Sequence, residues 1–273
     1  MEERTSTPLV IGGITATPIA KDIPRFSGLF WGTAGSGKTT LASTSRGHKL
    51  WINFDADGLS SLKGAEDITV LDLSDKAPDV VLQFKQNDPL NLSAALKQNP
   101  YIKCVVVDSV TAFAQQAIAH GYTSKAAPGA TFENPGPAGY GIRNRFSLAL
   151  VKNVLRATAL CNVDVIFICH EDVPVRDKEG NVIGYTLLLG GSLPEEVPLQ
   201  ISEVWHVADV QIKRRITIRS TQMRKPMKTR MFRTDGPIEF DWKYNANTGE
   251  GPSLRDWQAD WEKNNYSKIP VPS

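Results

Sequence analysis

Eight consecutive residues, Gly32-Thr33-Ala34-Gly35-Ser36-Gly37-Lys38-Thr39, fit G-x-x-x-x-G-K-[ST] without a gap. Each type has a job at its position. Glycines let backbone N–H groups curl around phosphate oxygens. A helix that begins at Lys38 turns its positive end to the same anion. The Lys38 ammonium reaches the β- and γ-phosphates, the Thr39 hydroxyl ligates magnesium, and Thr40 completes the cradle. The chemistry expected is binding of ATP with Mg2+. The bland alternative, a glycine-rich turn followed by a chance Lys-Thr, does not account for its place between an apolar strand and a helix.

Cleaving such a ligand needs acids. Asp108 closes the apolar run Ile102 to Val107 and is placed to orient magnesium; Asp-Ser also suits a helix N-cap. A group that positions or deprotonates water is needed as well. Asp55 and Asp57 leave the strand Leu50 to Phe54, and His170 and Glu171 follow the strand ending at Cys169. Either aspartate could be a solvated loop acid, and His170 a satisfied core histidine. His48, His120 and His206 are read as structural or surface residues.

These groups must be held by alternating strands and helices. Strands are expected at Phe26 to Trp31, Leu50 to Phe54, Ile68 to Leu73, Ile102 to Val107, Val163 to Cys169, Val204 to Val210, Arg215 to Ser220 and Lys228 to Phe232, the last two as a hairpin-like pair. Helical spacing marks Lys38 to Ser43, Asp79 to Lys97, Ile142 to Leu160 and Ser253 to Trp261, the last with Ser253 as N-cap. The β-branched run at Ile102 to Val107 suits a strand buried on both faces of a parallel sheet. Gly121 to Gly141 and Asp172 to Gly191 read as long loops, the second with a turn at Lys178 to Asn181. The fold class expected is α/β, a mostly parallel sheet with helices on both faces. Ligands of such sheets bind at the carboxyl ends of strands, so the turns after Trp31, Phe54, Val107 and Cys169 should face one site. The division expected is a leader at 1–24 that adds at most a short edge element, an ATPase domain at 25–234, and a tail at 235–273 with one short helix.

Composition sets outer bounds. Lys plus Arg exceed Asp plus Glu by only two, so any nucleic-acid surface must be a local patch. Cys104, Cys161 and Cys169 lie in or beside apolar stretches without metal-ligand spacing, which points to reduced, buried thiols and a cytoplasmic setting. No apolar run approaches the roughly 20 residues of a membrane helix, so no membrane partner is expected.

The order of these motifs carries a resemblance. The phosphate loop, Asp55-Ala56-Asp57, VVVDSV at Val105 to Val110 and VIFICH at Val165 to His170 together resemble the core of RecA-like P-loop NTPases. The stretch Asn134 to Asn144 and the pair Gly190-Gly191 look like phage-encoded RecA-like ATPases that accompany single-strand annealing. The resemblance spans roughly residues 26 to 232. It implies a catalytic carboxylate at Asp57, where this chain has Asp for the family's Glu. It implies a γ-phosphate sensor at His170, where the family has Gln. It implies DNA-binding loops at Gly121 to Gly141 and Glu171 to Gly191, and cations donated across a subunit interface near Arg224 and Lys225.

From Lys213 to Arg233 the chain carries nine cations and no acid. That suits phosphates, of DNA or of a neighbour's nucleotide, better than a solvated face. Phe132, Tyr140 and Tyr185 lie in the two loops, where they could stack on unpaired bases or simply anchor the loops. The partners expected are single-stranded DNA, further copies of the chain, and a single-strand-binding or annealing protein. Two function classes stay open: a DNA-dependent ATPase of recombination or annealing, and a P-loop ATPase with a protein client such as a helicase loader or packaging accessory.

Overall fold

The computed structural model describes residues 9–11, 14–16, 25–55, 58–85, 87–88, 90–125, 131, 135–210, 213–246 and 248–272. Near the N-terminus, β1 (Leu9–Ile11) and β2 (Ile14–Ala16) pair antiparallel as a separate two-stranded sheet. The main sheet has eight strands. In chain order they are β3 (Ser27–Gly32), β4 (His48–Asn53), β5 (Ile68–Asp72), β6 (Ile102–Asp108), β7 (Asp164–His170), β10 (Glu203–Val210), β11 (Lys213–Thr217) and β12 (Glu239–Trp242). Across the sheet the order is β12-β11-β10-β3-β7-β6-β4-β5. The six strands from β10 to β5 are parallel, and β11 and β12 continue the sheet antiparallel.

Alternation along the strands divides the apolar residues between two cores, as period-two geometry requires. Leu29, Trp31, Val105, Val107, Val165 and Phe167 face one side. There α2 (Leu92–Gln98), α3 (Val110–Lys125), α4 (Gly136–Leu160) and α5 (Leu193–Leu199) lie. Phe30, Trp51, Cys104, Val106, Ile166 and Ile168 face the other, against α1 (Lys38–Ser43) and α6 (Leu254–Lys263). The expected α/β class with a mostly parallel sheet is what the chain adopts. Among the described residues no helix is long and apolar enough to cross a membrane.

Four local expectations need correction. In the stretch Gly121 to Gly141, among the described residues, 121–125 are the end of α3 and 136–141 the start of α4. Its glycines serve packing: a Cβ on Gly121 would sit 2.9 Å from the Gly139 Cα, so their absence lets the two helices close on each other. Pro137 falls in the first turn of α4, where its missing N–H costs nothing. Asp79 to Lys97 is not one helix but a 3₁₀ segment, Pro78–Phe84, and α2, which Asn91 caps by accepting from Ala94 N at 3.0 Å. Asp172 to Gly191 is a loop holding a small hairpin, β8 (Val175–Arg176) with β9 (Val182–Gly184), closed by a turn at Asp177 to Asn181 that takes in the one expected at Lys178 to Asn181.

The fourth concerns the C-terminal third. Lys228 to Phe232 forms no strand. The Arg230 and Met231 N–H groups donate to Glu203 Oε1 at 2.6 and 3.0 Å, so a buried side chain takes the place of a ladder. The partner of β11 is β12, which lies in the stretch expected to be a tail. That stretch also supplies α6, whose Leu254, Trp257 and Trp261 belong to the second core. Ser253 caps α6 in a reciprocal capping box with Asp256, as expected, and the helix runs to Lys263. Leu254 N–H donates to Thr44 Oγ1 at 3.1 Å and Gln258 Nε2 to Asp164 Oδ2 at 3.0 Å, fixing α6 behind α1.

Candidate active site

The site is built where β3 ends. Gly32 must be glycine, because a Cβ there would overlap the Val207 carbonyl oxygen of β10. Gly37, at φ 94°, turns the chain in the left-handed region into α1, whose first turn leaves backbone N–H groups without intrahelical acceptors. Thr33, Ala34 and Gly35 are exposed at the loop's crest, while Ser36 is fully buried beneath it. Lys38 is 4% exposed and its Nζ donates to Gly32 O at 3.0 Å and Thr33 O at 2.6 Å. Burial lowers its pKa to about 8, against the pull of Asp108, Cys169 and Glu171. Lys38 is thus a desolvated cation held by the loop it serves, positioned for an anion of higher charge.

Asp108 ends β6, two strands from β3, and its Oδ2 accepts from Thr39 Oγ1 at 3.2 Å. Burial raises its carboxyl to about 6, with Asp55 adding to the rise and Thr39 and Lys38 opposing it. The N-cap of the following helix falls to the next residue: Ser109 Oγ accepts from Ala112 N at 3.0 Å. So Asp108 stays directed at Thr39. A hydroxyl beside two carboxylates, Asp108 and Asp55, is a hard oxygen set that suits Mg2+. Among the described residues no three His, Cys, Asp or Glu side chains converge as a metal site. A cation here would therefore be held by Thr39 and Asp108 together with nucleotide and water oxygens.

A cavity of about 370 Å3 runs over this loop, lined by Gly35, Gly37, Lys38, Thr39, Thr40, Asp55, Asp108 and His170. Because β7 lies between β3 and β6, His170 emerges between the phosphate loop and Asp108. Its pKa is lowered, first by burial and then by Lys38, with Asp55 opposing the shift. Its backbone N–H donates to Thr111 Oγ1 at 2.9 Å, which anchors the strand end. The structure thus brings together the cradle, Asp55, Asp108 and His170. Asp57 lies outside the described residues. Glu171 turns the other way: its carboxylate meets His206 Nε2 at 2.5 Å, and His206 packs edge-on against Trp31 at 4.6 Å.

The cations of Lys213 to Arg233 are largely occupied within the chain. Lys213 and Arg215 pair with Asp241, and Arg215 also with Glu239. Arg219 donates to the carbonyls of Thr234 and Gly236. Arg224 lies over the Tyr185 ring at 4.9 Å, while Lys225, Arg230 and Arg233 are exposed. Of the loop aromatics, Tyr140 stands on the first turns of α4, and Phe132 lies outside the described residues. Sequence reasoning missed Arg214. It lines the phosphate cavity beside Gly37, yet its position inside a basic run distinguishes it from its neighbours in no way.

No curated protein matches the chain. A family model described as AAA domain (AAA_24) matches residues 25–231, which take in β3 through β11, the phosphate loop, Asp108 and His170. With three-quarters of its length under that model and a phosphate cradle at the carboxyl edge of its parallel sheet, the chain belongs to the AAA domain family and carries a P-loop ATPase domain.

Proposed function

We propose that the chain binds ATP with Mg2+, hydrolyses it, and couples turnover to single-stranded DNA in recombination, annealing or replication, as a RecA-like member of its family. The observation that carries the ATPase reading is one cavity in which Lys38, Thr39, Asp55, Asp108 and His170 converge at the ends of four different strands. In it Lys38 holds the phosphates, Thr39 and Asp108 would hold the cation that neutralises them, and His170 reports on the γ-phosphate through one hydrogen bond. Mg2+ would supply charge neutralisation of the transferring phosphoryl group. The water-directing carboxylate is Asp57 or Asp55, both on the segment after β4. Asp57→Asn should slow turnover at least tenfold while ATP binds as before; a silent Asp57→Asn beside a damaging Asp55→Asn moves the role to Asp55.

The DNA reading rests on the exposed cations Lys225, Arg230 and Arg233 and on Tyr140, exposed at the start of α4. ATP turnover with and without single-stranded DNA tests it: stimulation is expected, with affinity falling with salt at about −0.7 per phosphate contacted. A protein client is the second reading. One observation favours it: Val173, Val175 and Ile183, on and just before the β8–β9 hairpin, are 45% to 79% exposed, apolar surface of the kind that meets protein. Turnover indifferent to DNA at low salt would select that reading.

A further inference from the structure

A second cavity, of about 610 Å3, opens on the far side of Arg214 from the phosphate loop. It lies between β11, β12 and the turn that follows β12. Its lining includes Asp209, Arg214, Trp242, Tyr244 and Glu250. Arg214 is the residue it shares with the phosphate cavity. On the loop side, a Cβ built on Gly37 would meet the Arg214 Cδ and Nε at 2.7 Å, so the side chain lies flat on the P-loop glycine. On the other side its guanidinium stands over the Trp242 ring at 5.4 Å. One guanidinium nitrogen, Nη1, is buried and has no hydrogen-bond partner among the described residues. Tyr244 stacks on Trp242 with ring centres 5.6 Å apart and planes 7° from parallel. Trp242 is 1% exposed and Tyr244 half-buried, so Trp242 backs the stack and Tyr244 offers the outer face.

A nucleoside triphosphate whose phosphates fill the loop must place its ribose and base in adjoining space. Arg214 lines both cavities, so the second adjoins the phosphate cavity across its side chain. Beyond it are the features a base uses: an aromatic face backed by a second ring, and two carboxylates, Asp209 and Glu250, able to accept from an exocyclic amino group. We propose that this second cavity is the base subsite of the nucleotide bound at the P-loop. Tyr244 is its stacking platform, and Arg214 spans the base and phosphate halves. The inference rests on nucleotide binding at Lys38. It adds that the ligand is recognised by an amino-bearing base, as in ATP, and that the site is completed by the antiparallel edge of the same chain.

The test compares Mg-ATP with Mg-tripolyphosphate, which keeps the phosphates and lacks the base, by titration calorimetry on the full chain. Tyr244→Ala should weaken ATP binding about tenfold, the loss of one stacked base, and leave tripolyphosphate within twofold of wild type. Tyr244→Phe, which keeps the ring, should bind ATP as wild type does. Retained tripolyphosphate binding shows that the Ala variant is folded. Arg214→Gln should weaken both ligands. Tyr244→Ala binding ATP as tightly as wild type, or losing both ligands by the same factor, overturns the subsite. Wild type that binds tripolyphosphate but gains nothing from the base overturns it too. A wild-type chain that binds neither ligand overturns the nucleotide reading beneath it.

Discussion

Lys38 is the residue on which the nucleotide site turns. Its ammonium is buried, bonded to two carbonyls of its own loop, and brought down to about 8 by desolvation. A bound polyphosphate favours the charged form. The sign follows: near pH 9 most free protein has lost the proton, and binding must take it back. Calorimetry in buffers of different ionisation enthalpy should show close to one proton taken up at pH 9 and almost none from this group at pH 7; equal uptake at both would contradict the assignment. Lys38→Ala should lower nucleotide affinity about 100-fold and abolish turnover, since charge-assisted bonds to phosphate are lost, with the far-ultraviolet circular dichroism unchanged. Full turnover in that variant would end the ATPase reading. The cysteines test burial at the same scale. Desolvation pushes Cys104 and Cys169 up to about 12, so at pH 8 their thiolate fraction is about a thousandfold below that of a thiol at 9. Alkylation of the native protein should reach Cys161 alone, the half-buried one, and the other two only after denaturation.

Among the elements, α6 shows best how position decides role. Its capping box is written in Ser253 and Asp256, and its apolar stripe in Leu254, Trp257 and Trp261, so its existence is a local matter. Its place is not. Trp257 stands edge-on to Phe240, Phe232 and Trp205 and so joins β12, the strap before it and β10 in one cluster. Trp257→Ala should cost about 3 to 5 kcal/mol by removing a large buried ring, read as a fall in the urea midpoint; a loss under about 1 kcal/mol would mean that α6 is peripheral. At the opposite end of the sheet from the phosphate loop, Arg46 pairs with buried Asp164, which also accepts from Phe26 N and Gln258. This clip ties β3, β7 and α6 where no ligand chemistry is placed.

At the scale of the molecule, the near-neutral charge hides an uneven distribution. Lys213, Arg215 and Arg219 are consumed by the chain's own edge and loop and Arg214 lines the nucleotide cavity, while Lys225, Arg230 and Arg233 face solvent. In the RecA-like reading exposed cations of this kind serve a neighbour's phosphates, so we expect ATP or DNA to promote a ring or filament of identical chains. Light scattering with ATP, Mg2+ and single-stranded DNA present checks this; a strict monomer under those conditions rules it out. Replacing Lys225 with Ala separates the two uses of that cation. Loss of assembly with DNA affinity retained assigns it to the interface, and a shallower salt dependence with assembly retained assigns it to DNA.

What the sequence alone determined was local in origin. The phosphate loop is eight adjacent residues whose chemistry depends on backbone freedom at Gly32 and Gly37, so it is legible without a partner. The buried runs around Val106 and Ile166 read as strands of a parallel sheet whose ends face one edge, which made Asp108 and His170 candidates for the site of Lys38. Only tertiary structure decided the rest. Gly121 and Gly139 look like loop signals until α3 and α4 are seen to touch through them. Lys228 to Phe232 has a strand's composition, but Glu203, from another strand, takes the N–H groups of Arg230 and Met231. The stretch after residue 235 reads as an appendage because its burial depends on residues far away in the chain, at Thr44, 210 positions before Leu254, and at Asp164, 94 before Gln258. Arg214 is one cation among nine until β11 folds against β10 and sets it on Gly37. Short-range pattern reports conformational preference and hydrophobic period; which surfaces meet is a long-range packing outcome that no window of neighbouring residues contains.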